Sequence, residues 1–334
     1  MLSVFKTRFA AFPTPAGGLA LGIASLASLW GARLDGATAI AAAGAAVAAA
    51  IVFCLIVKFA ANPRLLLSDV AHPVAGSVLP TAAMATMVVS RSLPQDWAAP
   101  VWLAAVAVHG LLLAAFLAFR IPVFRPAHMV PSWYVPPIGP VVAVLTLPDP
   151  RFSALAEGIL WFGIASYAAM LAPMLARLIF AAEVPDAAKP TIAILAAPPN
   201  LCLAGYLSFE TAPSALVVLP LLSVGLVMTA AVYLGMARLL RLPFSPGYAA
   251  FTFPLVISAN ATLKAAAFLA ATAPGAAAGL EFWGNLELAV ATLTVAYVAL
   301  RYGLAYGRRV ADAAVAIEAA VEEAEADTET EAAA

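Results

Sequence analysis

Charge is what this sequence has least of. Only 10% of its 334 residues are Asp, Glu, Lys or Arg, and 64% are hydrophobic. An ordinary soluble domain is about 25% charged, so with a mean hydropathy of +0.98 this is a polytopic membrane protein. Cysteine is nearly absent. Cys54 and Cys202 sit inside apolar runs without partner spacing, which excludes a disulfide framework and leaves them as packing residues. The three histidines, His72, His109 and His128, have no metal-ligand spacing and read as solvated or capping groups. No Walker motif, catalytic triad or metal-ligand cluster occurs, which argues against an enzyme or an ATP-driven pump, and nothing calls for a cofactor, a metal or nucleic acid. Residues 1–15 carry Lys6 and Arg8 but no apolar stretch, so no cleaved signal peptide is expected.

What is abundant is apolar sequence in lengths of about 20 residues, the length that crosses a bilayer as a helix. Ten such stretches are expected: 15–34, 37–60, 72–92, 97–119, 131–148, 152–178, 190–210, 213–238, 246–270 and 278–303. The fold expected is therefore all-α, with ten transmembrane helices. Residues 1–14 form a short N-terminal segment, 15–305 the membrane domain and 306–334 a tail. From 311 onward the tail holds eight acidic residues and no basic ones, the pattern of a solvated segment.

The distribution of Lys and Arg tests that count. If the N-terminus is cytoplasmic, thirteen of the seventeen basic residues fall on the inner side. Only Arg33, Arg91, Arg151 and Lys264 fall outside. One missed helix would reverse every later assignment, so a bias this large supports ten spans with both termini in the cytoplasm. The location expected is the cell (inner) membrane.

Proline supplies the internal repeat. Pro15, Pro73, Pro131, Pro190 and Pro246 stand at the inner start of every odd-numbered span, at intervals of 58, 58, 59 and 56 residues. A second helix breaker follows in each: Gly22, Pro80, Pro137, Pro198 and Pro254. Even spans lack the double pattern, although proline is common enough in membrane helices to make part of it incidental. A period near 58 is one helical hairpin, so the chain reads as five hairpins in tandem, with all odd spans parallel. Broken helices expose backbone polar groups that lipid cannot satisfy, which places the odd spans in the interior. Five helices in a ring, with axes ~9 Å apart, leave a lumen of roughly 3 Å radius, suited to a small ion. The breakers, with Asn200 after the Pro198-Pro199 pair, are the candidate pore-lining residues. No Asp or Glu lies in the body of an odd span, so there is no acidic ring of the kind that selects cations. Arg33, Arg91 and Lys264, at the outer ends of odd spans, are candidates for attracting anions to the outer mouth. A solvated rim or a snorkelling lysine explains them equally well.

Five pieces, one per odd span, carry a resemblance: PTPAGGLALGIASL, HPVAGSVLPTAAM, PSWYVPPIGPVVA, KPTIAILAAPPNLCLAGY and YAAFTFPLVISANATLK. Together they make the chain similar to the tellurite-resistance/dicarboxylate transporter family, which includes the plant slow-type anion channels and fungal malate and sulfite transporters. The resemblance implies ten helices with the five odd ones around a central pore, a homotrimer with one pore per subunit, and a phenylalanine gate. It puts Phe253, in the ninth-span Thr-Phe-Pro motif, at the gate; by composition alone Phe253 is an ordinary packing aromatic. Two motifs depart from the family's usual pattern. The seventh span reads Ala197-Pro198-Pro199-Asn200 where a small polar ending is usual, and the fifth has Gly139-Pro140 in place of a frequent Gly-Asn pair.

Small inorganic or organic anions and the lipid bilayer are the expected partners. Three functions stay open on the residues: a gated channel for small monovalent anions; a proton-coupled carrier or exporter of a C4-dicarboxylate, sulfite or another organic anion; and a receptor or scaffold acting through the tail. A carrier needs a titratable group at mid-depth, and the odd spans have none. Glu287, inside the tenth span, is costly enough in lipid to be a candidate for proton coupling.

Overall fold

The computed structural model describes Lys6 and residues 9–34, 37–181 and 183–332, with side chains as far as Tyr306. Most of the N-terminal segment and the side chains of the acidic tail lie outside the described residues. Everything described is helix, turn or irregular chain, with no strand. A sequence this apolar must satisfy its backbone polar groups within each segment, and only a helix does so locally.

Six helices are labelled up to the first long loop: α1 (Ala16–Arg33), α2 (Thr38–Ala61), α3 (Pro63–Ala71), α4 (Ala75–Val78), α5 (Thr81–Ser90) and α6 (Gln95–Arg120). They are followed by α7 (Val135–Ile138), α8 (Val142–Leu145), α9 (Ser153–Phe180), α10 (Ala197–Phe209), α11 (Ala215–Leu239), α12 (Thr252–Leu269) and α13 (Pro274–Ala332). Ten spans were expected. Among the described residues seven helical segments are long and apolar enough to cross a membrane, or eight if the pair Pro63–Ala71 and Ala75–Ser90, bent by 104°, is one span. Two expected spans fall short for physical reasons. In α1, glycine and serine dilute an 18-residue helix that ends in Arg33. The fifth is cut into four short pieces between Pro131 and Leu145 by Pro136, Pro137 and Pro140.

Proline also dictates the local geometry. It has no N–H to give the carbonyl four residues earlier, so the preceding turn tightens to three-residue bonding. Lys189–Ala196 and Pro246–Phe251 are 3-10 helices leading into α10 and α12. Ile194, which Pro198 leaves without its α-helical donor, accepts instead from the Ala197 N–H. Ser132, in the same position relative to Pro136, accepts from the Val135 N–H. The Pro136 carbonyl, orphaned by Pro140, is met by the fully buried His109, whose Nε2 lies 3.0 Å away. A carbonyl only accepts, so Nε2 carries the proton. His109, expected to be a solvated or capping group, is instead buried and serves a backbone carbonyl.

Burial sorts the long segments into two classes. Lys189–Phe209 and Pro246–Leu269 are 78% and 67% buried over their most apolar stretch, against 22–33% for the other five. The proline-broken segments are therefore interior. They also close on one another: α1 packs on α5, α5 on α8, α8 on α10, α10 on α12, and α12 back on α1. The long exposed helices pack outside this circuit, α2 on α1, α6 on α5, α9 on α10, α11 on α10 and α13 on α12.

Candidate functional site

One cavity of about 480 Å³ lies inside the circuit. Every proline-broken segment contributes to its wall, through Pro15 and Leu21, His72 and Met84, Tyr134 and Ile138, Ala188 and Pro198, and Gly247 and Phe253 among others. None of the long outer helices α2, α6, α9, α11 and α13 contributes a lining residue. The wall is almost wholly apolar. The hydroxyls of Thr81 and Thr191 are turned to backbone carbonyls of Val78 and Ala188, both at 2.6 Å. His72, at the segment-start end, holds its Nδ1 as acceptor for the N–H groups of Val74 and Ala75, capping the broken helix. No carboxylate lines the cavity, so nothing in the wall repels an anion.

The cavity begins at the segment starts and stops about midway along them. Leu21, Met84, Ile138, Leu201 and Phe253, one large apolar side chain per segment, stand at or next to the furthest lining position of each. Beyond them the same segments continue into closely packed core, with Ala24, Val88, Val142, Leu203 and Ile257 all buried. Four of these five end residues were not singled out by sequence. The signal was there: each lies within four residues of its segment's second helix breaker.

Of the residues expected on the pore wall, Phe253, Pro254 and Pro198 line the cavity, whereas Gly22, Pro80, Pro137 and Asn200 do not. Gly22 faces the neighbouring helix. A Cβ there would sit 2.4 Å from the Thr252 Cβ and 3.1 Å from the Phe253 backbone nitrogen, so only glycine lets α1 approach α12 this closely. The Thr252 hydroxyl seals the approach by bonding the carbonyls of Gly18 at 3.0 Å and Ala249 at 2.7 Å. Gly22 thus seats the backbone that carries Phe253. Pro80 sits in the break between α4 and α5, and Pro137 turns to a second, peripheral pocket.

Asn200 is drawn the other way, into a buried polar knot. Its amide nitrogen lies 2.8 Å from the Ala196 carbonyl, 2.9 Å from Thr229 Oγ1 and 3.0 Å from Ser258 Oγ. Thr229 donates to Ser258 at 3.1 Å, and Ser258 to the Pro254 carbonyl at 2.8 Å. The knot ties α10, α11 and α12 together behind the two prolines. Losing a buried hydrogen-bonding partner costs ~1–3 kcal/mol, so Asn200→Ala is expected to lower the thermal midpoint of the purified protein by several degrees. Its relative anion permeabilities should match the wild type, and changed ratios in a well-folded variant would contradict this placement.

At the far end of the segments the three expected cations separate. Arg33 reaches outward and donates to Asn285 Oδ1 of α13 at 2.7 Å. Arg91 spans from the end of α5 to the Leu145 carbonyl at 3.4 Å, and Lys264 on α12 is half-buried. Neither Arg91 nor Lys264 has an ion-pair partner among the described residues. At the opposite end Lys189 is neutralised by Asp186 at 2.6 Å and Glu183 at 3.5 Å. Unlike Lys189, Arg91 and Lys264 therefore keep unpaired charge at the far end.

Glu287 is buried between α13, α12 and α11, away from the cavity. Its Oε2 accepts from Thr262 at 2.8 Å, while Oε1 has no partner. The nearby Tyr233 hydroxyl is likewise unmatched.

Among known families, the model described as SLAC1, voltage-dependent anion channel, matches residues 11–302. No curated protein matches the chain.

Proposed function

The chain belongs to the SLAC1 voltage-dependent anion channel family, and from that premise we propose that it is a gated channel for small monovalent anions, with Phe253 as the gate. It is a multi-pass membrane protein of a channel and transporter family, not an enzyme. In this reading ten membrane segments form five tandem hairpins, the odd ones ring a central pore through 15–305, and three copies associate with one pore each. Residues 1–14 and the acidic tail, 306–334, face the cytoplasm. The carrying observation is the apolar cavity inside the circuit, lined by all five proline-broken segments and ending at a layer of five large side chains that includes Phe253. An apolar constriction of this kind resists wetting and so blocks ions without a charged plug. Pro198 and Pro254 keep lining roles here, and Lys264 with Arg91 draws anions to the outer mouth.

One observation favours a second reading, a proton-coupled carrier of organic anions. A carboxyl at membrane depth with one unmatched oxygen, as at Glu287, is the kind of group such coupling needs. Reconstitution separates the two. In liposomes loaded with chloride, nitrate, sulfite or malate, the channel predicts passive flux of the monovalent anions, unchanged by a pH gradient and by Glu287→Gln. Proton-driven uptake of a dicarboxylate, abolished by Glu287→Gln, would replace the channel with the carrier.

Orientation has its own test. Single cysteines at Asp96 and Ala212 should react with impermeant thiol reagents applied outside intact cells, whereas cysteines at the exposed Arg64 and Arg241 should react only after permeabilisation. Labelling of the second pair from outside would overturn the cytoplasmic placement of both termini.

A further inference from the structure

A second pocket, of about 200 Å³, opens on the outside of the helix circuit between the end of α6, the fifth-span segment and α9. Its wall is apolar, formed by Phe116, Leu117, Trp133, Pro137 and Met170, and one charged residue enters it, Arg120. The guanidinium is half-buried, with its Nε shut from solvent and unbonded. No ion pair reaches it among the described residues. A guanidinium carries five N–H donors in a planar fork that fits phosphate, so a lone one beside an apolar slot is half of a recognition site.

The chain around it lies at a bilayer interface. Residues 121–124 read Ile-Pro-Val-Phe, and Ile121, Val123 and Phe124 are 66%, 52% and 52% exposed, bracketed by Arg120 and Arg125. Exposed apolar residues between two arginines at the end of a membrane helix suit the boundary of acyl chains and headgroups. Trp133 is fixed in place, its indole donating to the Pro73 carbonyl at 3.0 Å and its ring edge-on to Phe116 at 5.2 Å. The slot is thus held open by hydrogen bonding and aromatic packing.

We propose that this pocket is a binding site for an anionic phospholipid, which lays an acyl chain between Phe116, Trp133 and Met170 and sets its phosphate on Arg120. Basic pockets between membrane helices are a recurring form of headgroup recognition. The site bears on the central cavity through its shared wall. Trp133 and Pro137 face the lipid pocket, while Tyr134, Val135 and Ile138 of the same segment line the cavity. The inference needs only that the chain spans a bilayer, so it stands or falls apart from the gate.

Native mass spectrometry of the full-length protein in detergent tests it, with palmitoyl-oleoyl phosphatidylglycerol and phosphatidylcholine as the probes. Phosphatidylglycerol should be retained about tenfold more tightly, because both lipids offer a phosphate but only phosphatidylcholine adds a choline cation that the guanidinium repels. Arg120→Gln should level the two lipids. Leu117→Trp, at a surface position on the pocket rim, should fill the slot and reduce retention of both. Equal retention of the two lipids by the wild type, or an unchanged preference in Arg120→Gln, would overturn the proposal. Loss of an oligomer in Leu117→Trp with lipid preference intact would assign the pocket to a second copy of the chain, and would overturn it too.

Discussion

Phe253→Ala is expected to raise basal anion flux through reconstituted protein by ~30-fold. The phenyl ring stands at the deep end of the cavity and is 7% exposed. Burying a phenylalanine side chain is worth ~1.5–3 kcal/mol. If that burial holds the pore shut, losing ~2 kcal/mol of it shifts a closed–open equilibrium by ~30-fold. The neighbouring aromatic is the control. Phe251 is fully buried, packs edge-on against Tyr248 at 5.3 Å and does not line the cavity. Phe251→Ala should therefore lower stability by ~3–5 kcal/mol and leave flux per folded molecule unchanged. The ring also depends on its seat. Gly22→Ala would press a methyl into Thr252, so it should disturb gating without touching the cavity wall. Wild-type flux from a Phe253→Ala protein with native fold would show that the ring does not close the path.

The sequence made some of this legible and hid the rest for identifiable reasons. Missing donors are a backbone property, so the prolines revealed which segments break and therefore which are interior. The tightened turns before Pro198 and Pro254 follow from the same fact. What a breaker does not reveal is direction. A helix turns ~100° per residue, so Pro198 and Leu201 line the cavity while Asn200, between them in sequence, points into the knot with Thr229 and Ser258. The same rotation put Leu21 on the wall in place of Gly22 and turned Pro137 to the periphery. Span count was hard to read for a related reason: interior segments can be short, broken and rich in glycine because protein, not lipid, surrounds them. Contacts across distant sequence were not legible at all. Nothing in the spacing tells that His109 serves the Pro136 carbonyl, or that Thr262 meets Glu287.

The second large effect is expected at the opposite end, from Lys264→Glu. No carboxylate pairs with Lys264 or with Arg91 among the described residues. Two unpaired cations at the same end of the bundle are explained if their joint field acts on anions. Lys264 lies eleven residues beyond Phe253, ~16 Å along the helix, so its substitution leaves the gate untouched. A glutamate there would take the summed charge of the two positions from +2 to 0. At ~8 Å and an effective dielectric constant near 20, each unit charge contributes ~2 kcal/mol to a passing anion. Screening over a Debye length of ~8 Å at physiological salt cuts this about threefold. Removing two charges then costs a net ~1.4 kcal/mol, a tenfold fall in anion occupancy at the mouth and in flux at low anion concentration. Lys264→Met should give about half that change in free energy, a fall of ~3-fold. Both effects should grow as ionic strength is lowered, because the field is then screened less. A Lys264→Glu protein whose flux equals the wild type at low salt would reduce Lys264 to a side chain that merely reaches for the headgroups.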